Sequence, residues 1–423
     1  MTKFRFTTVA LAALLSLGFV TSSLAEEIKG RVKVVAGGAK SMAVEVAGKG
    51  VVVVKFNDDT KYKNADTFKD FIADEVVVVD FDKVGSENRA KLITKVIAPL
   101  PAGVKGMVTA DVEALLKSAP GSYTLVDSRP PGRYNQGHLP TAINIPLPDL
   151  QKEGGLKLLP ADKAKTLVFY CGGLSCGLSP ASATIAVKAG YTDVRMYPEG
   201  EPKWVKVDNA TEASMAFVKS GNIVLVDLRA PEKAAAGYIP RAVNIPAAKL
   251  EASAKQFPEF KGAPVVFYSD SKEEMSNALS LAREWGYGDA VLFPGGVKAW
   301  QAAGNQLAMG PAPTKISYVR KLGEGELSIN DFNLAAVDGK HVIVDARTPK
   351  EFAAGHFLNA VNIPAEEMEA RYKELPAGKL PIVHCATGTR AELAWDVLKE
   401  KGVKAMYVKS NIDFSGTTAV MKE

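Results

Sequence analysis

Leu125–Pro146 reads LVDSRPPGRYNQGHLPTAINIP, and the chain returns to it twice, as LVDLRAPEKAAAGYIPRAVNIP at Leu225–Pro246 and IVDARTPKEFAAGHFLNAVNIP at Ile343–Pro364. Repetition on this scale fixes the architecture before any single residue is interpreted. In each copy an apolar run ends at an Asp, an Arg follows two residues on, a Gly stands ten residues after the Asp, and Asn-Ile-Pro closes the unit. The run is expected to be a buried strand, and the polar centre a loop or short helix.

About forty residues beyond each Asp comes a second apolar run, at Thr166–Tyr170, Pro264–Tyr268 and Pro381–His384. The residue that follows each run differs: Cys171, Ser269, Cys385. A small polar loop comes next, then a helical stretch that stops at Gly190, Gly286 or Gly402 before another strand. Glycine just past the last turn is the expected stop. Strands alternating with helices imply an α/β unit with a parallel sheet covered on both faces.

These motifs resemble the rhodanese-like (sulfurtransferase) family, over roughly Pro101–Glu423. In that family a strand-ending Asp opens a D-x-R…G-H-[IL]-P-x-A-x-N-[IL]-P motif, and the active Cys opens a C-x-x-G-x-R loop. The third copy is similar in both parts, with Asp345, Arg347, Glu351, Gly355 and His356, then Cys385-Ala386-Thr387-Gly388-Thr389-Arg390. The resemblance implies three tandem domains: 104–208, 210–310 and 315–423. Met309–Thr314 reads as the second linker.

The first unit keeps Asp127, Arg129, Gly137, His138 and Pro140, and ends in Glu199-Gly200-Glu201-Pro202-Lys203-Trp204, similar to the family's Gly-x-x-x-Trp closure. Its loop, Cys171-Gly172-Gly173-Leu174-Ser175-Cys176, has a second thiol where the third copy has Arg390. The second unit keeps Asp227, Arg229 and Gly295-Gly296…Trp300, yet carries Tyr238 for His and Ser269 for Cys. A hydroxyl cannot hold sulfane sulfur, so this unit is expected to be inactive. The third unit has a helix start at Ser328 and lacks the Gly-Gly…Trp closure at Lys409–Phe414.

The remaining chain sets the context. At 423 residues it is too long for one core and predicts about three or four domains. A 47% hydrophobic and 23% charged composition is that of an ordinary globular protein. A net charge of +5 without a Lys/Arg run or an interleaved aromatic stripe argues against nucleic acid as a partner. Residues 1–25 carry Lys3 and Arg5, an apolar run from about Val9 to Val20, then Ser23-Leu24-Ala25. This reads as a secretory signal peptide cleaved after Ala25, with a periplasmic product. The apolar run falls short of the ~20 residues a span needs, and no later stretch is a candidate membrane span. Residues 26–99 show alternating β-branched runs at Ile28–Val35, Met42–Val46, Val51–Phe56, Glu75–Phe81 and Lys91–Ile97, so a small antiparallel barrel of five or six strands is expected. It resembles OB-like modules of exported bacterial proteins, and Ala98–Gly103 links it onward.

The chemistry implied by the resemblance rests on a Cys at the carboxyl end of a central strand, facing loop amides and the positive end of a helix. That setting favours thiolate, the nucleophilic form. Cys385 and Cys171 are the expected sulfur carriers, with Cys176 the resolving thiol. Arg390 and the loop Ala386, Thr387, Gly388 and Thr389 are the expected anion cradle, with Gly172, Gly173, Leu174 and Ser175 in the same role in unit one. The donor would be a small sulfur anion such as thiosulfate, and the acceptor a thiol, cyanide or a partner protein. Phosphatase chemistry is disfavoured because four residues separate Cys385 from Arg390, one fewer than in the related phosphatases. Cys171 and Cys176 are open to three readings: sulfur carrier with resolving thiol, redox relay, or structural disulfide. A scaffold that binds anions or partner thiols without turnover is the remaining alternative. Asp127, Arg129, Asp345 and Arg347 are expected to be scaffolding, since Asp227 and Arg229 persist beside Ser269. His138 and His356 are expected to brace their loops, and His384 to point away from Cys385. Nothing in the sequence calls for a cofactor, and no metal-ligand spacing occurs among its four His and three Cys.

Overall fold

The structure, a computed structural model, describes residues 25–422 apart from 38, 39, 74 and 86; the signal-peptide reading therefore lies outside the described residues. The N-terminal module contains β1 (Ala25–Ala36), β2 (Ser41–Val46), β3 (Gly50–Lys55), β4 (Lys61–Lys63), β5 (Val76–Val84) and β6 (Glu87–Lys95). The strands hydrogen-bond in the order β3-β2-β1-β5-β6, and β6 returns to β3, which closes a five-stranded barrel. Among the described residues, closure leaves the short appended β4 as the edge strand. Val32, Met42, Val44, Val54, Val77, Val79, Phe81 and Ile93 fill the barrel interior. The all-antiparallel expectation is corrected in two places, because β3–β6 and the appended β4–β6 pairings run parallel.

Each of the three following units is built on an all-parallel sheet with helices packed on it. Unit one has β7 (Lys105–Gly106), β8 (Tyr123–Asp127), β9 (Ile143–Asn144), β10 (Thr166–Tyr170) and β11 (Val194–Tyr197), in the order β7-β11-β10-β8-β9. Unit two has β12 (Val224–Asp227), β13 (Val243–Asn244), β14 (Val265–Tyr268) and β15 (Val291–Leu292), in the order β13-β12-β14-β15. Unit three has β16 (Glu326–Leu327), β17 (His341–Asp345), β18 (Val361–Asn362), β19 (Leu380–His384) and β20 (Met406–Val408), in the order β16-β20-β19-β17-β18. The two repeated apolar runs are thus neighbouring central strands in every unit, and both faces of each are buried. The helices that follow the loops end before Gly190, Gly286 and Gly402, each at positive φ where a side chain would be strained.

The Asp–Arg pair performs one structural task three times. Arg129 donates to both Asp127 oxygens and to the Gly137 carbonyl; Arg229 donates to Asp227 and Gly237, and Arg347 to Asp345 and Gly355. The Asn of each Asn-Ile-Pro donates to the carbonyls of the same Asp and Arg, as Asn144, Asn244 and Asn362. Buried ions persist only when paired and hydrogen-bonded, and here the pairing ties the strand end to the crossover.

Two connections position the loops. Unit three ends not in a helix but in a hairpin, β21 (Asn411–Ser415) with β22 (Thr418–Lys422), whose Ile412 N–H donates to the Ala386 carbonyl at 2.9 Å. The barrel touches both cysteine-bearing units. Its Asp70 pairs with Lys206 and the Ala98 N–H of the linker that follows it donates to the Leu174 carbonyl at 2.7 Å, while Ala43 and Val53 pack on Leu393 of unit three.

Candidate active site

Cys385 follows β19 directly and opens the turn into the helix Thr389–Glu400. The residue is 1% exposed, and its sulfur accepts a hydrogen bond from the Gly388 N–H at 3.1 Å. Gly388 adopts φ +88°, and a Cβ there would lie 2.5 Å from Lys409, so only glycine lets the loop curl under the hairpin. The amide and the helix N-terminus together place partial positive charge at the sulfur.

Arg390 lies in the first turn of that helix, and its side chain is 3% exposed. Both terminal nitrogens are engaged by Glu351, at 2.7 Å each. Arg390, expected in the anion cradle, thus has both terminal nitrogens hydrogen-bonded to Glu351. Burial would lower the Arg390 pKa, and the hydrogen bonds and charge of Glu351 raise it, so the guanidinium stays charged in the loop. For Glu351, burial would push the carboxyl up, but the Arg390 hydrogen bonds outweigh this and bring it down to about 2. Glu351 also closes a capping box with Thr348 on the helix Pro349–Ala354. The Thr348-Pro-Lys-Glu351 pattern was the available sequence signal for that fixed position.

Ala386 is held by the hairpin, whereas Thr387 and Thr389 are half-buried. His384 points into unit three, among Phe332, Phe357 and Phe414, with its Nε2 3.6 Å from Asp345. His356 stacks on Phe352 at 3.9 Å and its Nδ1 meets the Phe352 carbonyl; His138 repeats this with Tyr134. Both rings brace the motif rather than face a sulfur.

In unit one, Cys171 and Cys176 are joined as a disulfide. The bond is common to the relay and structural readings, and in this state Cys171 has no free thiol. Cys171 is 1% exposed, and the Ser179 hydroxyl, on the helix Leu178–Lys188, donates to its sulfur at 3.1 Å. Gly173 adopts φ +110° and its carbonyl accepts from the Cys176 N–H; Leu174 is tied to the linker at Ala98, and the Ser175 hydroxyl is buried without a hydrogen-bond partner among the described residues. Gly172 is half-buried. In unit two the Ser269 hydroxyl donates to Glu274, the residue at the position of Cys176 and Arg390. A carboxylate therefore sits in that loop, opposite to what an anion requires.

Lys55 and Glu366 escaped the sequence reading. Burial lowers the Lys55 pKa, Arg390 lowers it further, and Glu351 and Glu366 oppose both, so this barrel lysine belongs to the charge cluster beside the Cys385 loop. The Glu366 carboxyl is raised by burial and lowered by Lys55 and Arg390.

A buried sulfur hydrogen-bonded to a loop amide, between a parallel strand and a helix, is the setting that suits thiol chemistry. The rhodanese-like domain family model matches residues 108–207, 210–303 and 329–411. The chain belongs to the rhodanese-like domain family. A human thiosulfate:glutathione sulfurtransferase is 31% identical over 97 residues, 20% of this chain and 84% of that protein. An HTH-type transcriptional regulator, Rv0324 of Mycobacterium tuberculosis, is 38% identical over 92 residues, 22% of this chain and 38% of the regulator's length. The crystal structure of a thiosulfate sulfurtransferase from Pseudomonas aeruginosa aligns at 16% identity and a TM-score of 0.26, covering 72% of this chain and 64% of that one.

Proposed function

We propose that the protein is an exported, periplasmic sulfurtransferase that moves sulfane sulfur from a thiosulfate-like anion through a Cys385 persulfide to a thiophilic acceptor. The Gly388 amide on the Cys385 sulfur carries this reading, because an amide at that point favours a negative sulfur. The Cys385 thiolate attacks the outer sulfur of thiosulfate; the new S–S bond forms as the old one breaks, and sulfite leaves with the electron pair. An acceptor thiolate then attacks the outer sulfur of the persulfide and takes it, and the electron pair returns to Cys385. Arg390, fixed by Glu351, offsets the negative charge in both half-reactions. The name of the human relative supports a thiol such as glutathione as acceptor.

The Cys171–Cys176 bond favours a second activity in unit one, a thiol–disulfide relay in which an external dithiol is oxidised as this disulfide is reduced. Cys171→Ser, Cys176→Ser and Cys385→Ser proteins separate the two. Loss of thiosulfate-dependent transfer in Cys385→Ser alone supports the first reading; undiminished transfer in that variant overturns it. Loss of dithiol oxidation in either unit-one variant supports the second, and unchanged oxidation overturns it.

A further inference from the structure

The two halves of the unit-one disulfide stand in unlike settings. Cys171 is 1% exposed and its main chain is pinned: the carbonyl accepts from the Glu201 N–H at 3.1 Å, and a Cβ on Gly200 would lie 2.1 Å from that carbonyl oxygen. Cys176 is half-buried and is followed by the exposed Gly177, so it is the member of the pair that solvent reaches. Hydroxyls belong to the Cys171 side. Ser179, in the first turn of the helix Leu178–Lys188, donates to the Cys171 sulfur at 3.1 Å. Ser182 lies one turn further along the same helix face, and Ser128 follows the strand beside Cys171, its N–H donating to the Tyr170 carbonyl. Both are fully buried, with hydroxyls that have no hydrogen-bond partner among the described residues. Unit three carries Ala346 in place of Ser128, so this hydroxyl is not part of the shared scaffold.

We propose that in dithiol oxidation the incoming thiolate attacks Cys176, that Cys171 is the leaving thiolate, and that the Ser179 hydroxyl is the catalytic group that stabilises it. The inference rests on the relay reading of unit one. Thiol–disulfide exchange needs an attacked sulfur that can be reached and a leaving sulfur that can hold negative charge. Cys176 meets the first condition. Cys171 meets the second, because a hydroxyl donor and the positive end of a helix both favour thiolate. A first substrate thiolate bonds to the Cys176 sulfur as the Cys171–Cys176 bond breaks, and the electron pair stays on Cys171. The second substrate thiolate then attacks the substrate sulfur of this mixed disulfide, closes the substrate's own disulfide and leaves the pair on Cys176. The two protons lost by the dithiol return to the two cysteines through solvent. The substrate class follows from the same geometry. Cys385, the one other cysteine of the chain, is buried in unit three, so inside unit one the mixed disulfide meets only Cys171, whose attack expels the thiol that entered. A second thiol tethered in the same molecule competes with that reversal through its high effective concentration, and a separate monothiol does not.

The test uses the full-length Cys385→Ser protein, whose thiols arise only from unit one. By microscopic reversibility, the cysteine attacked on the way in is the one that captures an external disulfide on the way back. With Cys171→Ser or Cys176→Ser added, the lone Cys176 is expected to capture oxidised N-acetylcysteine about tenfold faster than the lone Cys171, read as the mixed disulfide by mass spectrometry. Equal rates, or faster capture by Cys171, overturn the order. With both unit-one cysteines present, Ser179→Ala is expected to slow reduction of the disulfide by dithiothreitol about tenfold, and Ser179→Thr, which keeps the donor, to recover most of that rate. Ser179→Ala at the parent rate, or Ser179→Thr as slow as Ser179→Ala, overturns the role of the hydroxyl. Failure of the parent reading looks different: no oxidation of dithiothreitol by the Cys385→Ser protein removes the relay and this inference with it, whereas oxidation with faster capture at Cys171 removes the order and leaves the relay standing.

Discussion

Arg390 and Glu351 face each other in a two-point ion pair, both arms 2.7 Å long, between the helix that follows Cys385 and the helix that follows the Asp345–Arg347 motif. The pair locks the cysteine loop of unit three to its repeated motif. The arginine is 3% exposed and the glutamate 32%, so the arginine depends on its partner more than the reverse.

Glu351→Gln is therefore expected to destabilise the protein by about 2 kcal/mol at neutral pH, below the figure for a fully buried pair because the carboxylate is partly solvated. The pH dependence has a definite sign. With the folded Glu351 pKa at about 2 and the unfolded one near 4.5, its contribution is complete above about 4.5 and is lost as pH falls towards about 2. Urea unfolding of both proteins across that window checks this; a change under about 0.5 kcal/mol at neutral pH contradicts it.

His384 predicts a second acid sensitivity at higher pH. Burial among aromatic rings lowers its pKa to about 4, against the pull of Asp345, and neither ring nitrogen makes a hydrogen bond of good geometry. The unfolded chain takes up this proton first, near pH 6.5, so the neutral ring's contribution is complete above about 6.5 and is lost as pH falls through about 4. His384→Phe should keep its thermal midpoint between about pH 7 and about pH 5 better than the wild type, and gain about 1 kcal/mol at neutral pH. Parallel losses of midpoint in the two proteins contradict the assignment.

Ser269 and Glu274 make unit two a test of what the loop requires. Ser269→Cys alone should take up no sulfur from thiosulfate, because Glu274 leaves a carboxylate beside the new thiol. Ser269→Cys/Glu274→Arg, placed in a Cys385→Ser background, should recover part of the loading. Full loading of the single variant contradicts an electrostatic role for this position.

The three units and most strands of the barrel were legible because each rests on a local pattern: repeated motifs, β-branched runs, glycine stops. The parallel closure of β3 on β6 was not, since pairing direction depends on contacts remote in sequence. The docking of the barrel left one trace, the run Val51–Val54, which is apolar on both faces and so implies cover outside as well as inside. Arg390 was legible as a residue of the loop but not as an engaged one, because its partner stands 39 positions away. The missing Gly-Gly…Trp closure of unit three was visible in the sequence, but not the hairpin that replaces it over Arg347, where the Phe414 ring lies 4.1 Å from the guanidinium. His384 stands where Tyr170 and Tyr268 donate to Asp127 and Asp227, and the sequence did not reveal how a shorter ring would be accommodated.

The central claim is that the Cys385 sulfur, set against the Gly388 amide, accepts and carries sulfane sulfur. Intact-protein mass spectrometry after thiosulfate treatment, with peptide mapping of the adduct, tests it most directly. The account predicts a gain of one sulfur atom located on Cys385, absent from Cys385→Ser and discharged by an added thiol. An unchanged mass for the wild-type protein, or an equal gain in Cys385→Ser, would contradict it.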